Sequence, residues 1–204
     1  MVQTDLNFTL WLMGPTSSGK STLAEAYLDR LKIRDIPCIH FDGDEVRDLF
    51  GKQLGFRNKD RLSVVSTIVY LANKARGAGL NVIVSALTAN PDTRKFVSKN
   101  LCNAIIGYVK CSISTCAERD PKGLYSKAKS GEITTLIGWD KKYYPPDKPD
   151  LILDTECHNV STLLDQIDDV IFNSTLNSDS VENNTQRNPT RYGDWEKNGR
   201  CIDF

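Results

Sequence analysis

The stretch that most limits what this chain can become is "LWLMGPTSSGKSTLAEAYL", residues 10–28. An apolar run, Leu10 to Met13, ends on Gly14, and a second glycine, Gly19, is followed at once by Lys20 and Ser21. Together they satisfy G-x-x-x-x-G-K-[ST], in which backbone N–H groups wrap phosphates, the lysine reaches the β/γ oxygens and the hydroxyl binds Mg²⁺. Leu23, Ala24, Tyr27, Leu28 and Leu31 then recur at helical spacing, so the loop falls between a strand and a helix N-terminus, as a phosphate cradle requires. A chance glycine turn is the plainer alternative, but strand, loop and helix arrive in the required order. Ser17, Ser18 and Thr22 complete the set of loop residues expected around the phosphates of ATP. The motif names a phosphoryl donor and leaves the acceptor open.

Further strands are expected at "PCIHF" (37–41), "LNVIVSAL" (80–87), "AIIGYVKC" (104–111) and "PDLILDT" (149–155), with helices over about 59–78 and 160–172. Strands alternating with helices predict an α/β fold of three layers around a mostly parallel central sheet. The chain's 204 residues suit one such domain. Lys+Arg and Asp+Glu both number 26, which leaves no basic excess to attract nucleic acid or an anionic membrane. No apolar run approaches the roughly 20 residues that span a bilayer, and "MVQTDLNF" lacks the charged start and apolar stretch of a secretory signal. A cytoplasmic protein is expected. The six cysteines are scattered without a C-x-x-C pair, and His40 and His158 are the only histidines, so reduced thiols are expected rather than zinc or disulfides.

In open parallel sheets the active crevice lies at the carboxyl ends of the strands, where "DGDEVR" (42–47) also emerges. Asp42, Asp44 and Arg47 should face the donor: phosphoryl transfer needs a carboxylate to orient the acceptor hydroxyl and hold metal, and cations to spread the developing charge. One aspartate would suffice as a helix N-cap; two exceed that need. "ERDPKGLYSKAKSGE" (118–132) carries Arg119, Lys122, Lys127 and Lys129 between Pro121, Gly123 and Gly131. It reads either as a solvated helix face or as a mobile lid that closes cations over phosphates.

Taken together, "GKSTLA", "FDGDEVR", "LGF…DR" (54–61), "GLNVIVSAL", "RDPKGLYSKAKSGEI" and "PDLILDT" resemble the adenylylsulfate (APS) kinases in order and spacing over roughly residues 6–172. The resemblance implies a P-loop NTPase-type fold and transfer of the γ-phosphoryl of MgATP to the 3′-hydroxyl of APS, giving 3′-phosphoadenylylsulfate (PAPS). By position it implies that Lys20 and Ser21 hold phosphate and Mg²⁺, with Asp42 as the second metal ligand. Asp44 would engage the acceptor hydroxyl, Arg47 and Arg61 its anionic groups, and Phe56 its adenine; Lys122 and Arg119 would come from the lid. Three places depart from the family pattern. Val64 stands where an asparagine contacts APS, Thr88 takes the place of a serine sometimes phosphorylated, and Leu136 replaces a phenylalanine on the second face of the adenine. All three touch the acceptor side, so a kinase of another nucleotide-linked acid, such as cytidine diphosphoramidate, stays open beside APS. A non-catalytic nucleotide-binding module is the alternative of a different class.

After Phe172, "NSTLNSDSVENNTQRN" is too polar to repay its ordering entropy and reads as a linker. The expected division is a kinase-like domain over 1–173, a polar linker over 174–188 and a C-terminal peptide over 189–204. That peptide, "PTRYGDWEKNGRCIDF", resembles the signature of the succinate dehydrogenase assembly factor 4 family. Its aromatics suit a docking peptide for the succinate dehydrogenase flavoprotein subunit. The expected partners are thus a small-molecule nucleotide, that subunit, and a second copy of the chain in a homodimer, with no nucleic acid and no membrane.

Overall fold

The structure is a computed structural model that describes residues 6–51, 54–101, 104–178, 196–197 and 200–201. In chain order the first elements are β1 (Thr9–Met13), α1 (Lys20–Ile33), β2 (Cys38–Asp42), α2 (Gly43–Leu49), α3 (Asn58–Gly77) and β3 (Asn81–Ala86). They are followed by α4 (Pro91–Asn100), β4 (Ala104–Lys110), α5 (Ile113–Arg119), α6 (Leu124–Lys129), β5 (Leu151–Asp154) and α7 (Val160–Ser178). A short antiparallel pair, β6 (Glu196–Lys197) and β7 (Arg200–Cys201), lies in the tail. All five expected strands form one sheet of order β2-β3-β1-β4-β5, and every pairing in it is parallel.

Alternation along the strands sorts the core into two layers. Leu10 and Leu12 of β1, Ile83 and Leu153 pack on one face against Leu23, Tyr27 and Leu31 of α1 and Leu163 and Ile167 of α7. Trp11 and Met13 of β1 with Val82 and Val84 pack on the other against Val65, Ile68, Val69 and Ala72 of α3 and Val97 of α4. The parallel strands are covered on both faces, as their near-continuous apolar runs demand. A third cluster, Cys111, Cys116, Tyr125, Ala128 and Leu136, sits beneath α6.

Three expectations need correction. Helix α4 was not foreseen, because "PDTRKFVSKN" is mostly polar; its start is nevertheless marked by Asn90, whose side chain accepts from the Asp92 N–H, and by a proline at its first position. The final helix runs to Ser178 rather than ending near residue 172, taking in five residues assigned to the linker. Once a helix is nucleated each further residue adds a hydrogen bond, and polar residues without glycine or proline cost it little. The segment at 118–132, read as a solvated helix face or a mobile lid, contains α6, whose Tyr125 and Ala128 are buried rather than solvated. Apart from β6 and β7, the docking peptide expected over 189–204 lies outside the described residues. No helix among the described residues is long and apolar enough to cross a membrane, and Cys38, Cys111, Cys116 and Cys157 are free thiols.

Candidate active site

Helix α1 begins without the groups that normally finish a helix N-terminus. Its N-cap is Gly19, at φ 98°, with no side-chain cap and no acidic residue in the first turn, whereas Asp42, Asn90 and Ser112 cap α2, α4 and α5. The first N–H groups and the positive end of the helix dipole are thereby left for an external anion. The loop before it is held from outside by its carbonyls. Pro15 O accepts from Lys20 Nζ at 2.6 Å, Thr16 O from the Tyr125 hydroxyl at 3.0 Å, and Ser18 O from the Thr155 hydroxyl at 3.0 Å. Within the loop the Ser18 N–H donates to Pro15 O at 3.3 Å. Gly14 is required by packing: a Cβ there would run into the Val109 carbonyl. Ser17 takes the left-handed backbone, φ 63°, and its buried hydroxyl has no partner.

The loop opens into a cavity of about 860 Å³. Of the expected site residues, Ser17, Gly19, Lys20, Ser21, Thr22, Asp42, Asp44, Arg47, Phe56, Arg61, Thr88, Arg119, Lys122 and Leu136 line it. Gly14 and Ser18 do not; the Ser18 hydroxyl is buried without a partner, so its contribution is the backbone.

Asp42 ends β2, and both of its oxygens are engaged. Oδ1 accepts from the Asp44 N–H at 2.8 Å and caps α2, while Oδ2 accepts from the hydroxyls of Ser21 and Ser85, each at 2.6 Å. One side chain therefore caps α2 and also lines the cavity. Burial works to raise the Asp42 pKa, but the hydrogen bonds from Ser21, Ser85 and Asp44 outweigh it and hold the carboxyl below its ordinary value. Lys20 is pushed down to about 8 by desolvation, against the attraction of Asp44 and Asp42. Asp44, exposed on the first turn of α2, meets Lys122 Nζ at 2.5 Å, and that bond raises the lysine pKa.

Across the cavity the guanidinium carbons of Arg47 and Arg61 lie 4.9 and 5.9 Å from the Phe56 ring centroid, over a ring that is 55% exposed. Burial and the neighbouring Arg47 lower the Arg61 pKa. This cation pair answers to an acceptor with anionic groups. Arg119 donates to the Thr155 hydroxyl and carbonyl at 3.0 and 2.9 Å, so it braces the residue that holds the phosphate loop.

Thr88 is engaged by the core. It is 5% exposed at φ 38°, and its hydroxyl accepts from Trp11 Nε1 at 2.9 Å. It lines the cavity with that hydroxyl engaged by the indole. Lys127 and Lys129 are exposed outside the cavity, with Lys127 near Glu132 at 3.5 Å. Sequence reasoning missed Ser85, Thr155, Tyr125 and His40. The signal for Ser85 was present: a single hydroxyl inside the apolar run "NVIVSA".

Comparison with known proteins agrees with this geometry. A family model described as adenylylsulphate kinase matches residues 6–154, and one described as a protein of unknown function (DUF1674) matches residues 178–204. The adenylyl-sulfate kinase of Bacillus licheniformis is 38% identical over 154 residues, covering 74% of this chain and 77% of the relative. That of Gloeothece citriformis is 34% identical over 159 residues, covering 78% and 90%. The structure of the Mycobacterium tuberculosis APS kinase CysC in complex with AMPPNP and APS superposes with a TM-score of 0.78 at 29% identity, over 81% of this chain and 98% of that one. A gluconokinase from Sinorhizobium meliloti, at 15% identity and a TM-score of 0.59, shares the fold alone. The chain belongs to the adenylylsulphate kinase family.

Proposed function

We propose that the cavity binds ATP over the phosphate loop and APS against Arg47, Phe56 and Arg61, and that the γ-phosphoryl group passes directly to the APS 3′-hydroxyl. The observation that supports this reading is that Asp44, paired with Lys122 Nζ at 2.5 Å, lines the same cavity as the phosphate loop, Asp42, Arg47 and Phe56. Asp44 takes the hydroxyl proton, the 3′-oxygen forms its bond to the γ-phosphorus, and the bond to the β–γ bridging oxygen breaks, releasing ADP and PAPS. Lys20 and Lys122 spread the charge on the transferred group. With the Thr88 hydroxyl held by Trp11, no enzyme-bound phosphoryl intermediate is required.

The residues fit Mg²⁺. Ser21 and Asp42 offer hard oxygen donors 2.6 Å apart at the mouth of the loop, and Mg²⁺ is usually held by one or two protein oxygens with the rest from phosphates and water. Held there, it would supply positive charge to offset that of the phosphate oxygens. The test is acceptor-dependent ADP release: Lys20→Ala and Asp44→Asn should each lose at least about 100-fold in kcat with little change in melting. Near-normal turnover by Lys20→Ala would overturn the assignment.

For the tail we propose docking to the succinate dehydrogenase flavoprotein subunit, on the sequence resemblance carried by the aromatic peptide "RYGDWEKNGRCIDF" alone. A pull-down with that subunit should recover it with the full chain and not with a chain ending at Ser178. Equal recovery by both would dispose of the idea.

A further inference from the structure

Ser85 and His40 play no part in the scheme above, yet Ser85 contacts the proposed metal carboxylate and His40 contacts Ser85. Strands β2 and β3 pair in parallel with Asp42 opposite Ser85. Ser85 is 2% exposed, and its hydroxyl lies 2.6 Å from Asp42 Oδ2 and 2.9 Å from His40 Nε2. A serine hydroxyl has one proton to give. Placed on the carboxylate, that proton leaves the Ser85 oxygen as an acceptor, so His40 must present Nε2–H towards it. The order of donation is His40 to Ser85, Ser85 to Asp42, with Ser21 donating to the same Asp42 oxygen from the loop side.

We propose that Ser85, oriented by His40, is a positioning residue that fixes Asp42 for the cation accompanying ATP. The proposal rests on the reading of Ser21 and Asp42 as the Mg²⁺ pair. Its physical basis is the second contact. Without Ser85, Oδ2 would be fixed only by Ser21, whose oxygen is the other hard donor at the site. With Ser85 in place, Oδ2 has a second partner, one whose own hydroxyl is held by His40. Partners of this kind typically change metal affinity by about 10- to 100-fold when removed. His40 acts one step further out, by setting which way the Ser85 proton points.

The experiment measures affinity for a fluorescent ADP analogue by titration, in EDTA and at increasing Mg²⁺, for wild type, Ser85→Ala, Ser85→Thr, His40→Leu and Asp42→Asn, with thermal melts alongside. Ser85→Ala should raise the Mg²⁺ midpoint at least about tenfold while leaving the EDTA affinity unchanged. Ser85→Thr, which keeps the hydroxyl, should restore the midpoint, and His40→Leu should shift it by a smaller factor in the same direction. An unchanged midpoint in Ser85→Ala, or an equal loss with and without Mg²⁺, would overturn the proposal. Asp42→Asn separates the two readings. If it too keeps the wild-type Mg²⁺ response, the assignment of the metal pair has failed; if it abolishes the response while Ser85→Ala does not, only the positioning role has failed. Should Ser85→Ala not fold, Ser85→Thr and His40→Leu still decide: a midpoint raised by His40→Leu and kept by Ser85→Thr supports the role, and a midpoint untouched by His40→Leu overturns it.

Discussion

Lys122 Nζ stands 2.5 Å from Asp44 Oδ2, joining the turn before α6 to the first turn of α2 across 78 residues of sequence. Both side chains are more than half exposed, at 54% and 69%, so the pair contributes little to stability. In the proposed reaction it would hold a cation beside the residue that meets the acceptor hydroxyl. Lys122→Ala should therefore lower kcat/KM by about 100-fold and melting temperature by no more than about 4 °C, the equivalent of losing an exposed pair worth about 1 kcal/mol or less. Steady-state kinetics with paired melts check both halves. Unaltered turnover would show that the lysine only decorates the surface of the carboxylate.

Lys20 predicts a pH dependence. Desolvation has pushed its pKa from 10.5 to about 8. In the free protein the ammonium is present below pH 8 and lost as pH rises through it, so kcat/KM for ATP should fall above about pH 8. For stability the sign is opposite. Between pH 8 and 10.5 the unfolded chain holds a proton that the native chain has released, so this group's destabilising effect is full below pH 8 and is relieved as pH rises. Lys20→Arg should abolish the alkaline limb because a guanidinium stays charged. A wild-type profile flat to pH 9.5 would remove Lys20 from the titrating machinery.

Much of this was readable from the chain because the informative contacts are local. The loop, its flanking strand and helix, and the run "FDGD" each place their groups within a few residues of one another. The five strands announced themselves as apolar runs between turns, and the parallel sheet followed from their alternation with helices. What escaped was set by register and distance. Ser85 meets Asp42 only because β2 and β3 pair at that offset. Thr155 reaches Ser18 O from 137 residues away, and Tyr125 reaches Thr16 O from 109. The contact made by Thr88 was hidden for the same reason: its hydroxyl accepts from the Trp11 indole 77 residues away. Helix α4 was lost to its polarity, since its buried face rests on Thr93 and Val97 alone.

The Trp11 indole tests the reassignment of Thr88. Thr88→Val keeps the shape and branching of the side chain but leaves the buried Trp11 Nε1–H without its partner at 2.9 Å. It should cost about 1–3 kcal/mol of stability and leave kcat within a few-fold of wild type. Urea denaturation and ADP release decide between this and a chemical role. A loss of turnover by orders of magnitude in a protein that is still folded would return Thr88 to the reaction.

The acceptor side supplies the last prediction. Val64 and Leu136 line the cavity, 5% and 7% exposed, where relatives implied by the sequence resemblance carry asparagine and phenylalanine. Phe56 with its two guanidiniums still offers one aromatic face and two cations, so the contacts that grip the anionic groups persist while those that hold the base are reduced. Loss of binding common to ground state and transition state raises KM and spares kcat. The chain should accordingly show a raised KM for APS, and Val64→Asn with Leu136→Phe should lower it at little change in kcat. Each substitution works against local packing: Val64 belongs to the core beneath α3 and Leu136 to the cluster beneath α6. A stability loss of about 1–3 kcal/mol for the enlarged residue is therefore expected alongside the gain in affinity. Kinetics on APS and cytidine diphosphoramidate, run side by side in wild type and double variant, give the answer. A wild type that ignores millimolar APS yet turns over the cytidine compound would reassign the acceptor, and a double variant with unchanged KM would show that the base is held elsewhere in the cavity.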